Sequence, residues 1–306
     1  MLDYLASLPP AVAQGIMWGI MAIGVFITYK IVDVADLTVD GSLCTGMAVC
    51  AVLITKASAP VWLAILCGAI AGMGAGLITG IFHTVLGIPG ILAGILTQLM
   101  LWSINLKIMG GAANIGYAYT SKFFVSSSTI ISTIIYLLLI VVALIAVLYW
   151  FFGTALGASI RATGCNPHMS RAQGINTSVN KVIGFVLSNG IVAFAGAIIS
   201  LYSGYSDVNT GRGAIVIGLA AIVIGEAALS RLYNRSMIFK LASVIVGGII
   251  YYLVYQTIIY IGLDTYYLKM FSALVVAVFL AIPYLRKKYF TKVKSAKKVK
   301  EVDENA

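Results

Sequence analysis

The residues of this chain that could do chemistry are few and poorly spaced for catalysis. Four cysteines (Cys44, Cys50, Cys67 and Cys165) lie in or beside apolar runs without paired spacing, and the two histidines complete neither a CxxC nor an HExxH site. No metal site is expected, and the cysteines read as small packing residues. There is no G-x-x-x-x-G-K-[ST] phosphate loop and no nucleophile set beside a base. No catalytic residue is therefore expected, and ATP-driven work would have to be done on another polypeptide. Asp36 and Asp40 stand four positions apart, one helical face, where a helix N-terminus favours a carboxylate on dipole grounds alone. Glu226 lies within helical reach of Ser230 and close to Arg231, and Lys30 is close to Asp33, so both read as local pairs. His83 reads as interfacial. Gln98, Asn105 and Asn189 sit deeper in apolar runs; they are the candidates for lining a translocation path, and interhelical hydrogen bonding would explain each equally well.

The elements that carry these residues are dictated by composition. Of 306 residues 61% are hydrophobic and 10% charged, with mean hydropathy +1.02, which excludes a soluble globular domain. The chain reads as an all-α polytopic membrane protein. A helix needs about 20 apolar residues to cross the hydrocarbon core. Nine runs qualify, at about 11–32, 36–55, 60–82, 88–107, 129–152, 181–203, 213–229, 238–261 and 266–285. The seventh is short and Gly-rich, "GRGAIVIGLAAIVIGEAAL", and fits a broken or re-entrant helix packed inside the protein. The formal charge of +10 is spread over the ends of the runs and the tail, so no basic face offers itself to nucleic acid.

Charge placement also predicts orientation. With the C-terminus inside, 15 of the 20 Lys and Arg residues fall on the cytoplasmic side, as short cytoplasmic loops require, and the N-terminus lies outside. The start "MLDYLASLPP" carries an acid and no Lys or Arg, unlike a secretory leader, so the first run is expected to be retained. Residues 1–285 form the transmembrane domain, with a coupling region at about 153–180. Residues 286–306 form a basic cytoplasmic tail against anionic lipid.

One polar island interrupts the apolar pattern: "RATGCNPHMSRAQGINTSVNK", Arg161 to Lys181, which holds no acidic residue. Within it Asn166 can cap the first amides of a helix, Pro167 suits the first helical position, and Gly174 can take the left-handed closing conformation. The predicted helix has seven residues and spans about 10 Å at 1.5 Å per residue. It cannot cross the membrane and must lie along the inner surface or project from it. The chain restarts at Asn176 or Thr177. From the residues alone, an ordinary amphipathic loop and a functional element are equal readings.

A wider pattern favours the second. "GASIRATGCNPHMSRAQGINTSVNKVIGFVLSNGIVAFAGAI" resembles the cytoplasmic signature of permease subunits of ATP-binding cassette importers in the branched-chain amino acid and ribose group, through Gly157, Arg161, Ala162, Gly164, Asn166, Ala172, Gly174, Ile175, Asn176, Ala195 and Gly196. "DLTVDGS" is similar to that family's Asp-Leu-Ser-Val-Gly-Ser core, with Thr38 for Ser and Asp40 added; "IGLAAIVIGEAAL" is similar to its Ile-Ala-Ala-Val-Val-Ile-Gly-Gly, with Glu226 in place of the second Gly. "LAGILTQLMLWSINLKIMGGAANI" resembles a branch whose permeases sit beside tryptophan- or tyrosine-type binding proteins.

The resemblance implies a short cytoplasmic coupling helix that docks into a groove on a separate ATPase subunit. Arg161 and Arg171 would anchor it, Met169 and Ala172 would supply its packed face, and Asn166, Pro167 and Gly174 would shape it. It also implies a solute-binding protein outside, ATP and Mg on the partner rather than on this chain, and a second permease copy. Gly68, Gly72, Gly76 and Gly80 form a small-residue ridge at i+4 spacing, suited to close helix packing or to a sliding face. The two halves share a plan that hints at an inverted repeat. The cargo expected is an aromatic amino acid, with branched-chain amino acid, nucleoside and sugar as alternatives. An ATPase-independent secondary transporter is the rival class, and it would be expected to carry a mid-membrane titratable relay.

Overall fold

The structure, a computed structural model, describes residues 2–116, 125, 129–233, 235–260, 270, 273, 274, 276–278 and 281. The helices in chain order are α1 (Leu2–Phe26), which runs on into a wide π-helical turn (Ile27–Val32), α2 (Thr38–Thr55), α3 (Val61–Thr84) and α4 (Gly90–Ile108). After the short strand β1 (Asn114–Gly116) come α5 (Ile130–Gly153), α6 (Ala155–Cys165), α7 (Pro167–Ala172) and α8 (Thr177–Ser203). Strand β2 (Tyr205–Asp207) precedes α9 (Ala214–Ala228), α10 (Ser230–Tyr233) and α11 (Met237–Tyr260). This is an all-α polytopic membrane protein. Among the described residues seven helices are long and apolar enough to cross a bilayer. They coincide with the first six predicted runs and the eighth. Most of the ninth run and the whole tail lie outside the described residues.

The seventh run is α9. Its 15 residues reach about 22 Å at 1.5 Å each, short of the ~30 Å hydrocarbon core, so it cannot cross alone. It packs instead among α1, α2 and α11.

Sequence composition explains the layering. In the apolar window of α1, 83% of residues are buried in the protein, whereas in the more hydrophobic α5 only 17% are, so α5 is a lipid-facing outer helix and α1 a central one. α2 and α8 share the centre with α1. Without hydrophobic transfer to drive them together in lipid, the central helices rely on close approach. The predicted glycine ridge of α3 lies along α8: Gly72 faces Asn189 and Ala193, Gly76 the Phe185 backbone, and Gly80 Val182. β1 and β2 pair antiparallel, Ile115 opposite Ser206, and tie together the ends of α4 and α8 remote from α7.

Candidate functional site

At one end of the bundle the chain builds the predicted short helix. The Asn166 side chain accepts a hydrogen bond from the Met169 amide (3.0 Å), Pro167 takes the first position, and Gly174 turns the chain out with φ +77°. α7 has six residues, one fewer than expected, because Gln173 has already left helical geometry. Asn176 then caps α8, accepting from the Ser178 and Val179 amides at 3.1 Å each.

α7 buries only Ser170; Met169 is 62% exposed, and Arg161, Arg171 and Ala172 are also at the surface. The element is nonetheless held firmly from behind. Arg171 Nε donates to Thr177 Oγ1 (2.9 Å), and the Asn180 amide donates to Thr163 Oγ1 (2.9 Å), lashing α7 and α6 to the first turn of α8. Arg171 is thus a brace within the chain, a role that the sequence did not suggest. α6 in turn seats Gly164 against the Ile31 carbonyl of the π-helical turn, with no room for a side chain.

That turn carries Lys30, and here two local pairings are corrected. Lys30 Nζ bonds Glu226 Oε2 at 2.9 Å, 196 positions away, rather than pairing with Asp33; Glu226 in turn is not engaged by Ser230 or Arg231. Asp33 closes the turn in left-handed geometry (φ 59°), and the wider π-helical winding re-aims Lys30 toward the end of α9. Tyr233 lies close by, and burial pushes its phenol above the ordinary value, Glu226 adding to the effect.

Deeper in the bundle sits a layer of polar side chains. Asn189, near the middle of α8, donates to Asp36 Oδ2 (2.7 Å) and to the Phe185 carbonyl (3.0 Å), and it accepts from Ser42. Asp36 also accepts from the Thr38 amide (2.9 Å), and Thr38 meets Thr79 of α3 at 2.7 Å. Asn189 is therefore an interhelical tie with both ends of its amide engaged, and it lines neither of the cavities described below. Asp36 and Asp40 do not share a helical face, because α2 starts after Asp36. Asp40 instead caps a different helix: it accepts from the Gly213 and Ile215 amides, 2.9 Å each, at the N-terminus of α9. The dipole argument holds, with the partner supplied from 173 positions away.

The chain leading into α9 is pinned by Cys44, whose thiol donates to the Val208 carbonyl and accepts from the Gly211 amide, both 3.1 Å. The packing-residue reading of the cysteines therefore misses this bond, and it does not fit Cys165, which is exposed; Cys50 is buried as expected. His83, at the α7 end of α3, holds the Ile88 carbonyl at 2.9 Å and faces the Lys181 amine at 3.3 Å.

Gln98 and Asn105 of α4 line a cavity of about 300 Å³ together with Asp40, Cys44, Trp102 and Arg212. Asn105 is fully buried; its amide nitrogen reaches the Gly41 carbonyl at 3.4 Å, while its Oδ1 has no hydrogen-bond partner. Arg212 also borders a second cavity of about 590 Å³, walled by Trp18, Tyr202, Tyr205, Tyr251 and Tyr252 near the β-strand end.

The family model described as "Branched-chain amino acid transport system / permease component" matches residues 10–283. The tyrosine transport system permease protein of Clostridioides difficile (strain R20291) is 34% identical over 271 residues, covering 88% of each chain. The uncharacterized protein RP368 of Rickettsia prowazekii (strain Madrid E) is 28% identical over 272 residues, 89% of this chain and 95% of that one. The autoinducer 2 import system permease protein LsrC of Yersinia enterocolitica is 29% identical over 178 residues, 57% of this chain and 49% of that one. No solved structure matches.

Proposed function

Because the chain belongs to the family of branched-chain amino acid transport system permease components, we propose that it carries an aromatic amino acid such as tyrosine or tryptophan inward, driven by a separate ATPase subunit. The cargo rests on the 34% identity, over 88% of both chains, to a permease named for tyrosine transport. In this reading an extracytoplasmic binding protein delivers the solute to the end carrying β1 and β2. The α7 end faces the cytoplasm, the N-terminus lies outside and the C-terminus inside, and a second permease copy completes the path. ATP and Mg act on the partner, and the basic tail rests on anionic lipid.

One observation carries the coupling role of α7. It is capped at both ends and braced from behind, yet it exposes Met169 to solvent. A rigid rod with an unburied thioether suits insertion into a partner's groove. Arg161, on α6 beside it, and Ala172 complete the docking face. Movement of α7 reaches the bundle through the Arg171 brace to α8 and through Gly164 on the π-helical turn. From there Lys30 passes it to Glu226 and α9, whose other end is held by Asp40. Gln98 and Asn105 are the path-lining residues in this reading; Asn189 acts as structure.

The test is Met169→Asp in the full-length permease, expressed with its ATPase and binding protein. Loss of ATPase co-purification with the fold intact is the expected result, and assembly at the wild-type level would count against docking through α7. Stimulation of hydrolysis by each candidate solute then identifies the cargo. A non-amino-acid solute is the second reading, favoured by the shorter match to a permease named for autoinducer 2 import.

A further inference from the structure

Resting on the amino acid reading above, we propose that the cavity between α2, α4 and the segment before α9 is a subsite on this chain that takes the zwitterionic head of an α-amino acid, with its side chain against Trp102. The cavity's volume, about 300 Å³, lies at the lower end of the range that small-molecule sites occupy, roughly 300–1,000 Å³, and suits a solute of that size.

Its wall carries two chemically unfinished groups. Asn105 is fully buried and its Oδ1 lacks a partner, which buried polar atoms rarely tolerate unless something else completes them. Flipping the amide does not help: it would set an oxygen against the Gly41 carbonyl and leave the nitrogen orphaned instead. The Arg212 guanidinium has no hydrogen-bond or ion-pair partner among the described residues, although it shares the cavity wall with Asp40, whose oxygens are turned to the Gly213 and Ile215 amides. One wall therefore offers a free guanidinium, which matches a carboxylate. Asn105 Oδ1, the Gln98 carboxamide and the remaining lone pairs of Asp40 offer acceptors, which match an ammonium. Trp102 and Leu99 offer an apolar surface for the side chain.

Other solutes fit less well. A neutral sugar would use the carboxamides and the indole but leave Arg212 without a counter-charge. A phosphate ester would satisfy Arg212 but meet Asp40. Arg212 borders the aromatic cavity as well, so one guanidinium is shared by the two cavities.

The test uses the full-length permease in lipid nanodiscs and three probes: L-tyrosine, tyramine without the carboxylate, and 3-(4-hydroxyphenyl)propanoate without the ammonium. Saturable binding of L-tyrosine is expected, with both truncated probes at least tenfold weaker. Arg212→Gln should abolish the preference for tyrosine over tyramine. Asn105→Leu should weaken tyrosine binding at least tenfold with an unchanged or raised melting temperature, because it removes an orphaned oxygen. Equal binding of all three probes, no saturable binding, or wild-type selectivity in Arg212→Gln overturns the subsite. ATP-dependent tyrosine uptake by the assembled importer, unaltered in both variants, overturns the subsite and leaves the importer reading standing; saturable tyrosine binding without ATP-dependent uptake does the reverse.

Discussion

Lys30 Nζ lies 2.9 Å from Glu226 Oε2 and joins the π-helical end of α1 to the last turn of α9. Both side chains are about a third or more exposed, at 34% and 40%. Such a pair contributes about 0.2–1 kcal/mol to stability, so its removal should barely shift unfolding. Its position between the coupling region and α9 gives it a different weight. Glu226→Lys is expected to reduce solute-stimulated transport several-fold while ATPase assembly persists, and the charge swap Lys30→Glu with Glu226→Lys should restore most of it. Transport assays on the four combinations read the outcome, and equal rates in all of them would remove the pair from the coupling route.

Asp40 is the only acidic side chain among the described residues that caps α9, and it does so with two charge-assisted bonds of 2.9 Å. Bonds to a charged group contribute about 1.5–3 kcal/mol, and the Ile215 amide left behind would be buried. Asp40→Ala should therefore lower stability by about 2 kcal/mol or more and loosen residues 208–216. Asp40→Asn should fall between, since its carboxamide can accept from one amide while its NH₂ opposes the other. Denaturation in detergent and hydrogen exchange at those residues check this.

Local features were legible because local chemistry sets them. The α7 caps, the glycine ridge and the apolar runs follow from propensity, backbone freedom and hydropathy over short windows; the caps and ridge lie where expected, and the ends of the seven matched runs fall within four residues. What escaped notice joins positions far apart: Lys30 to Glu226, Asp40 to Gly213, Cys44 to Val208 and Asn189 to Asp36. Nothing within a short window tells Lys30 to ignore Asp33. A near neighbour is the natural partner until a π-helical turn, invisible to an apolar count, points the lysine elsewhere. The candidate cavity was half legible: Gln98 and Asn105 stand out as polar groups in an apolar helix, but nothing in the sequence marks Arg212, just ahead of the seventh run.

The α3 ridge supplies its own control. A side chain at Gly76 would collide with the Phe185 carbonyl of α8, whereas at Gly74, on the opposite face of the same helix, it would meet nothing within 4 Å. Overpacking of this kind costs about 1–3 kcal/mol. Replacing an open helical glycine gains about 0.5–1 kcal/mol. Gly76→Ala is therefore expected to lower the melting temperature in detergent and Gly74→Ala to hold or raise it. Equal shifts would mean that α3 and α8 do not meet along this ridge.

The N-cap of α7 separates folding from coupling. Asn166→Ala removes the bond to the Met169 amide, and the loss of such a cap costs about 0.5–2 kcal/mol. Since α7 buries only Ser170, that cost should fall on the helix alone and leave the bundle intact. Hydrogen exchange should quicken across residues 167–175 with the global melting temperature unchanged. If docking needs a rigid rod, affinity for the ATPase should fall by the same few-fold to tenfold factor that local fraying imposes, because only the ordered fraction can bind. Asn166→Asp keeps an acceptor at the cap, so it should keep the exchange protection. It also adds the negative charge that the island otherwise lacks. Protection retained together with weakened binding would therefore identify charge, and not rigidity, as what the partner reads.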